Sequence, residues 1–169
     1  LFIEELNPDN PEEYRTPTGF AAFTTSKSII TIKDEVPVTL TLRWTGNGPV
    51  LPGSHYSLNT ITPKGHVTAL SWTGLSPNDT SMTAAIGELH RDAVEQALEA
   101  AEKYIAPSQN LTVIDQVTIA MKTIGAMPKR DPGHQSRGRM PSPGWIATNR
   151  WQGRIAYTQN PKFIAPEGG

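Results

Sequence analysis

The sequence predicts an α+β domain: about four to six mainly antiparallel strands in its first half, one or two packed helices, and extended arms at both ends. Three observations carry this. The 169 residues suit about one domain. Only 37% are hydrophobic and 18% charged, while 15 prolines and 14 glycines supply turns; globular averages are about 45–50% apolar and about 25% charged. The apolar periodicity also changes along the chain, from two in the first half to three or four after residue 80.

Residues 1–17 hold three prolines and five acids in a run with little apolar content, which reads as an extended acidic arm. The core domain then spans 18–127. Thr18–Thr24 and Ser28–Lys33 are β-branched and aromatic. In Val36–Trp44, Val36, Val38, Leu40, Leu42 and Trp44 alternate with Pro37, Thr39, Thr41 and Arg43, so a strand with one buried and one wet face is expected. Gly46-Asn47-Gly48-Pro49 and Leu51-Pro52-Gly53 are turn signals. Pro63-Lys64-Gly65 should join two strands, around Tyr56–Thr62 and His66–Trp72, because proline presets the turn and glycine admits positive φ.

A helix from about Met82 to Ile105 follows from Ile86, Leu89, Ala93, Ala97 and Ala101, with Arg91/Glu95 and Glu99/Lys103 as charge pairs and Pro107 as the stop. Asn110–Ile124 carries both signals. Its Val113, Ile114, Val117, Ile119 and Ile124 favour a strand, while Ile114, Val117, Met121 and Ile124 fit a helical face capped by Asn110 and stopped by Gly125; the reading chosen is helix. Residues 128–169 hold six prolines and six glycines, yet also Trp145, Trp151, Tyr157 and Phe163. That mixture reads as an ordered basic arm, with a short hairpin at Trp145–Thr148 and Arg154–Thr158.

Charge is segregated along the chain although its net value is only -1. Glu4, Glu5, Asp9, Glu12 and Glu13 face a single base, Arg15, in the first fifteen residues; Lys129, Arg130, Arg137, Arg139, Arg150, Arg154 and Lys162 face a single acid, Asp131, between Lys129 and Lys162. Opposite charges at opposite ends point to interacting tails. The function this favours is a self-assembling coat or capsid-type subunit, viral in type, found in a virion or the cytoplasm, and more a structural protein than an enzyme. Its partners would be other copies of itself or neighbouring structural subunits. Trp145 and Tyr157 would anchor the interface, Lys129, Arg130, Arg137, Arg139, Arg150, Trp151 and Arg154 would form the basic surface, and Glu4, Glu5, Glu12 and Glu13 its acidic complement.

The alternative is an RNA- or single-strand-binding module, in which the same arginines meet phosphate and Trp151 stacks on a base. A hydrolase with an unrecognised site ranks third. A cell-surface module ranks fourth, on the sequons Asn78-Asp79-Thr80 and Asn110-Leu111-Thr112.

Cysteine is absent, which excludes disulfides, thiolate metal sites and cysteine nucleophiles. The sequence contains no HExxH, GxSxG, Walker or dinucleotide motif. His55, His66, His90 and His134 lack the spacing that brings imidazoles to one metal, so no metal or cofactor is expected. His55 and His66 would face each other across the Pro63 turn as a half-exposed pair. Glu88 and Asp92 fall on one helix face, where a solvated role outweighs acid–base chemistry. Ser54 and Ser76 have no evident activating base, and no catalytic residue is assigned. No stretch approaches the apolar length that crosses a bilayer.

Overall fold

The computed structural model describes residues 1–88 and 91–166. In chain order its strands and helices are β1 (Phe2–Glu5), β2 (Glu13–Thr16), β3 (Gly19–Ala22), β4 (Thr24–Ile30), β5 (Val38–Thr45), β6 (Gly48–Leu51), β7 (His66–Ala69), α1 (Ser81–Glu88), α2 (Val94–Ala100), β8 (Gln109–Ile114), β9 (Thr118–Ile124), β10 (Ser142–Pro143) and β11 (Lys162–Pro166). The class is α+β with mostly antiparallel sheets, as the sequence predicts. The chain divides into two compact units, one of Leu1–Ser71 with Arg130–Arg150 and one of Trp72–Lys129 with Trp151–Gly169.

The first unit is built on a six-stranded sheet ordered β10-β1-β7-β6-β5-β4, with β2 and β3 as a separate hairpin. Residues 1–17 are integrated into it. β1 lies between β7 and β10, and Phe2 and Glu4 on one of its faces are buried. β4 and β5 pair over seven residues, with Leu42 opposite Ser26 and Leu40 opposite Ser28. The apolar face is not covered, since Val38, Leu40 and Leu42 stay 42–43% exposed. Gly46 and Asn47 turn β5 into β6, so the glycine-rich signal is a tight hairpin. Gly48 is required there: its φ is +125°, and a Cβ would stand 2.0 Å from the Leu70 carbonyl oxygen.

The Pro63-Lys64-Gly65 turn forms as predicted, with His66 N–H donating to Pro63 O (3.1 Å) and Gly65 at φ +74°. The strand expected before it does not form. His55–Thr60 is a pair of 3₁₀ turns with Tyr56 and Ser57 at φ 49° and 55°, and β7 instead pairs with β1 and β6.

The second unit is a three-stranded antiparallel sheet, β11-β9-β8, with α2 packed against β8 and β9. The single helix expected over Met82–Ile105 is two short helices. Ala93 is extended (φ -138°, ψ 149°), and Val94 N–H donates to Asp115 Oδ2 at 3.1 Å, so a new helix starts there. Leu89 and His90 lie outside the described residues, as does the Glu88 side chain. Asp92 sits before α2 rather than on a helix face.

The helix expected over Asn110–Ile124 is the β8–β9 hairpin. Its β-branched residues pair across the strands, and Asp115 closes the turn by accepting from the N–H groups of Val117 (2.9 Å) and Thr118 (2.8 Å). The hairpin expected at Trp145–Thr148 and Arg154–Thr158 is also absent: Ala147–Asn149 and Tyr157–Gln159 are 3₁₀ turns.

Candidate functional site

The most constrained polar cluster lies in the first unit. Strand alternation turns Glu4 of β1 to the buried face, where it has no exposed surface. Its Oε1 accepts from Thr45 Oγ1 (3.0 Å) and from Asn47 Nδ2 (2.8 Å). Asn47 in turn accepts at Oδ1 from Arg150 Nε at 3.2 Å, so one carboxamide joins the acid to the guanidinium. Glu4 Oε2 is buried without a hydrogen-bond partner. It abuts Gly144, where a Cβ would stand 2.0 Å from it.

Burial raises the Glu4 pKa above the ordinary carboxyl value; the hydrogen bonds from Asn47 and Thr45 and the charge of Arg150 oppose that rise. Through Thr45 and Asn47, Glu4 ties β1 to the β5–β6 turn, and Asn47 Nδ2 also donates to the Gly144 carbonyl.

On the same unit a groove of about 520 Å³ runs between β5 and the segment leading into β7. Leu40, Leu42, Val50 and Leu51 give it apolar lining, and Lys64 and His66 line it as well. His66 stacks against Trp145 with ring centroids 5.8 Å apart. His55 packs on Tyr56 at 4.2 Å within the 3₁₀ segment, so the expected cross-strand histidine pair does not form. His134 is buried and accepts at Nδ1 from the N–H groups of Ser136 (3.2 Å) and Arg137 (3.0 Å), which leaves its proton on Nε2. Among the described residues no serine or threonine hydroxyl bonds a histidine ring or a lysine amine, so the described residues contain no nucleophile–base pair of that kind.

The residues singled out in the sequence disperse. Glu4 and Arg150 meet in the buried cluster, within one chain. Glu5 is ion-paired with Arg15 at 2.7 Å, and Glu13 accepts from Asn7 Nδ2 at 2.7 Å. Glu12 is exposed and gives its carbonyl to Phe23 N–H. Trp145 is half-buried, with Arg15 5.7 Å from its ring.

Arg130 lies against Gly138 with its Nε buried and unpartnered, while Arg137 and Arg139 are exposed. In the second unit Lys129 exchanges backbone bonds with Gln152 and Gly153, Trp151 is half-buried, and Arg154 bridges to Pro128. Tyr157 donates its hydroxyl to Leu98 O at 2.6 Å. Thr45, Asn47 and Gly144 escaped the sequence reading, which treated Asn47 and its neighbours only as a turn. Among the described residues, no group of three His, Asp or Glu side chains is placed to hold a metal ion.

The family model of penicillin amidase matches residues 1–169. Comparison with curated protein sequences finds no match. Among solved structures, the thermostable penicillin G acylase from Alcaligenes faecalis, in its orthorhombic form, shares this fold at a TM-score of 0.80 and 19% identity. The likeness covers 98% of this chain and 28% of that one, so the chain spans little more than a quarter of that structure. These matches overturn the expectation of a coat or capsid subunit, viral in type, and the RNA-binding alternative with it. The reading ranked third on the sequence, a hydrolase, is not overturned by them. The composition misled because turn-rich, weakly charged β-proteins and coat subunits share it, and because Phe2–Glu5 and Lys162–Pro166 are paired strands of two sheets.

Proposed function

Because the chain belongs to the penicillin amidase family, we propose that it works as part of an enzyme that hydrolyses amide bonds. The observation that carries this reading is the family match over all 169 residues. Amide hydrolysis requires a nucleophile, a base that takes its proton, and donors aimed at the oxyanion. The described residues offer no serine or threonine hydroxyl bonded to a histidine or a lysine. In this proposal the 169 residues therefore contribute scaffold and walls, and the nucleophile comes from elsewhere in the enzyme.

The test is release of nitroaniline from a set of acyl nitroanilides. It compares the 169-residue chain alone with the same chain joined to the remaining parts of an amidase of this family. Hydrolysis by the joined form only is the expected result. Hydrolysis by the isolated chain would place the nucleophile inside it and overturn the division of labour; no hydrolysis by either would overturn the amidase reading.

A further inference from the structure

We propose that the gap between β5 and β7, in the first unit, is a docking site for an extended segment of a partner polypeptide that alternates apolar and acidic side chains and adds as a strand along β5. The inference goes beyond amide hydrolysis and does not depend on it. β5 is eight residues long, yet it pairs with β6 only through Trp44 and Thr45. β6 ends at Leu51, before Pro52-Gly53, so β5 runs on with its second edge unpaired. Thr45 and Gly48 flank a two-residue loop, and such a flanking pair is hydrogen-bonded, so the Thr45 backbone groups point toward β6. Successive residues alternate, which turns Thr39 and Thr41 to the same side and Leu40, Leu42 and Trp44 to β4. Among the described residues, no backbone or side-chain group bonds to the Thr39 or Thr41 backbone on that side.

The groove of about 520 Å³ lies along this edge. Its lining takes in Leu40, Thr41, Leu42 and Arg43, consecutive residues whose side chains point to opposite faces. Such a run lines one groove only along the strand's edge. The rest of the lining is mostly residues 50–53 and 62–68, at the end of β6 and the start of β7. An unpaired row of N–H and C=O groups selects a partner that presents a matching row, which an extended backbone supplies.

The side chains set the pattern of that partner. A strand added beside β5 shares its faces, so its residues alternate between the face of Leu40 and Leu42, which are 42–43% exposed, and the face of Thr41 and Arg43. Arg43, Lys64 and His66 line the groove, and no aspartate or glutamate does. Neither Arg43 nor Lys64 is ion-paired among the described residues; Arg43 lies over the Phe23 ring at 4.9 Å. Carboxylates on that face complement these charges. The acidic strands of this chain, β1 and β2, are already paired with β7, β10 and β3, so a second copy offers no free strand of this kind among the described residues.

The experiment measures binding of a labelled hexapeptide of alternating valine and glutamate to the full 169-residue chain by fluorescence anisotropy. Saturable binding is expected, about tenfold weaker for the counterpart with lysine in place of glutamate and for the glutamate peptide N-methylated on every residue. Thr41→Pro removes the N–H turned into the gap and leaves the β4 ladder intact, so the variant should melt with the wild type and bind about tenfold more weakly. Hydrogen exchange reads the edge directly: the Thr39 and Thr41 amides should exchange fast in the free chain and slowly at saturating peptide, with Leu40 and Leu42 protected in both. No saturable binding, equal affinity for the lysine or N-methylated peptide, undiminished affinity in Thr41→Pro, or a Thr41 amide protected without peptide would each overturn the proposal. A dimer of the chain that Thr41→Pro converts to monomer would assign the gap to a second copy and overturn it as well.

Discussion

Replacing Gly144 with alanine would drive a methyl carbon into the Glu4 carboxyl group. The added Cβ would stand 2.0 Å from Oε2, 2.5 Å from Cδ and 2.7 Å from Oε1, so one side must move. Glu4 cannot withdraw without loss, because it is fully buried and held by Thr45 and Asn47 at 3.0 and 2.8 Å. The glycine is itself fixed, since its N–H donates to Ile3 O at 2.9 Å beside the β1–β10 pairing. Hydrogen bonds to a charged group contribute about 1.5–3 kcal/mol each, so displacing Glu4 from both would destabilise the unit by about 3–6 kcal/mol. That is a large share of a total stability of about 5–15 kcal/mol.

Urea unfolding followed through Trp44 and Trp145, both in this unit, reads the effect. The decisive measurement is the same substitution in a Glu4→Ala background, where the carboxyl is gone and the methyl has space. Gly144→Ala should then cost less than about 1 kcal/mol, leaving a strong coupling between the two positions. An effect equally large in both backgrounds, or below about 1 kcal/mol in the wild type, would refute the packing argument.

Two further outcomes concern pH, with opposite signs. The folded-state pKa of Glu4 is raised, mainly by burial, above the ordinary value of 4.5, so the folded form binds the proton more tightly. Its contribution is fully present below that ordinary value and is lost as pH rises through the folded pKa. Glu4→Gln should therefore gain stability relative to the wild type as pH is raised from below 4.5 toward neutrality, as urea midpoints at several pH values would show. A difference that does not change with pH would contradict it. Asp115 is the reverse: hydrogen bonds from Val117, Val94 and Thr118 lower its pKa below 3.8, so its contribution is present above that value and is lost as pH falls through the folded pKa. In Asp115→Ala the Val94 amide should lose its hydrogen-exchange protection at neutral pH, and unchanged protection would show that the carboxylate does not start α2.

What could be read from the residues was local. The alternation of Val38, Leu40 and Leu42 located β5 as a strand and put these residues on one face, because side-chain direction in a strand follows from spacing alone, although that face is left exposed rather than buried. Pro63-Lys64-Gly65 located a turn for a similarly local reason, although not what lies on either side of it. The failures share a different cause. Whether Asn110–Ile124 is helix or hairpin depends on Asp115, whose carboxylate closes the β8–β9 turn with one oxygen and starts α2 with the other. That second bond spans 21 residues, and the same bond explains why the long alanine-rich run breaks before Val94. Local periodicity favoured helix in both segments, and one side chain bridging them decided otherwise.

The charge pattern shows the same limit in the site. Acids at one end and bases at the other were assigned to neighbouring molecules because the ends are far apart in sequence. Within the first unit, β1 lies beside β10, so Glu4 and Arg150 join the same cluster through Asn47, which is 103 residues from Arg150. Segregated charge is thus explained by chain closure as well as by assembly. The two explanations differ in burial: an arm that docks on a partner keeps its acids accessible until it docks, whereas a closing strand buries one. Glu4, with no exposed surface, meets the second condition, and the tight Gly46-Asn47 turn and the missing Cβ at Gly144 are the local features that make its burial possible.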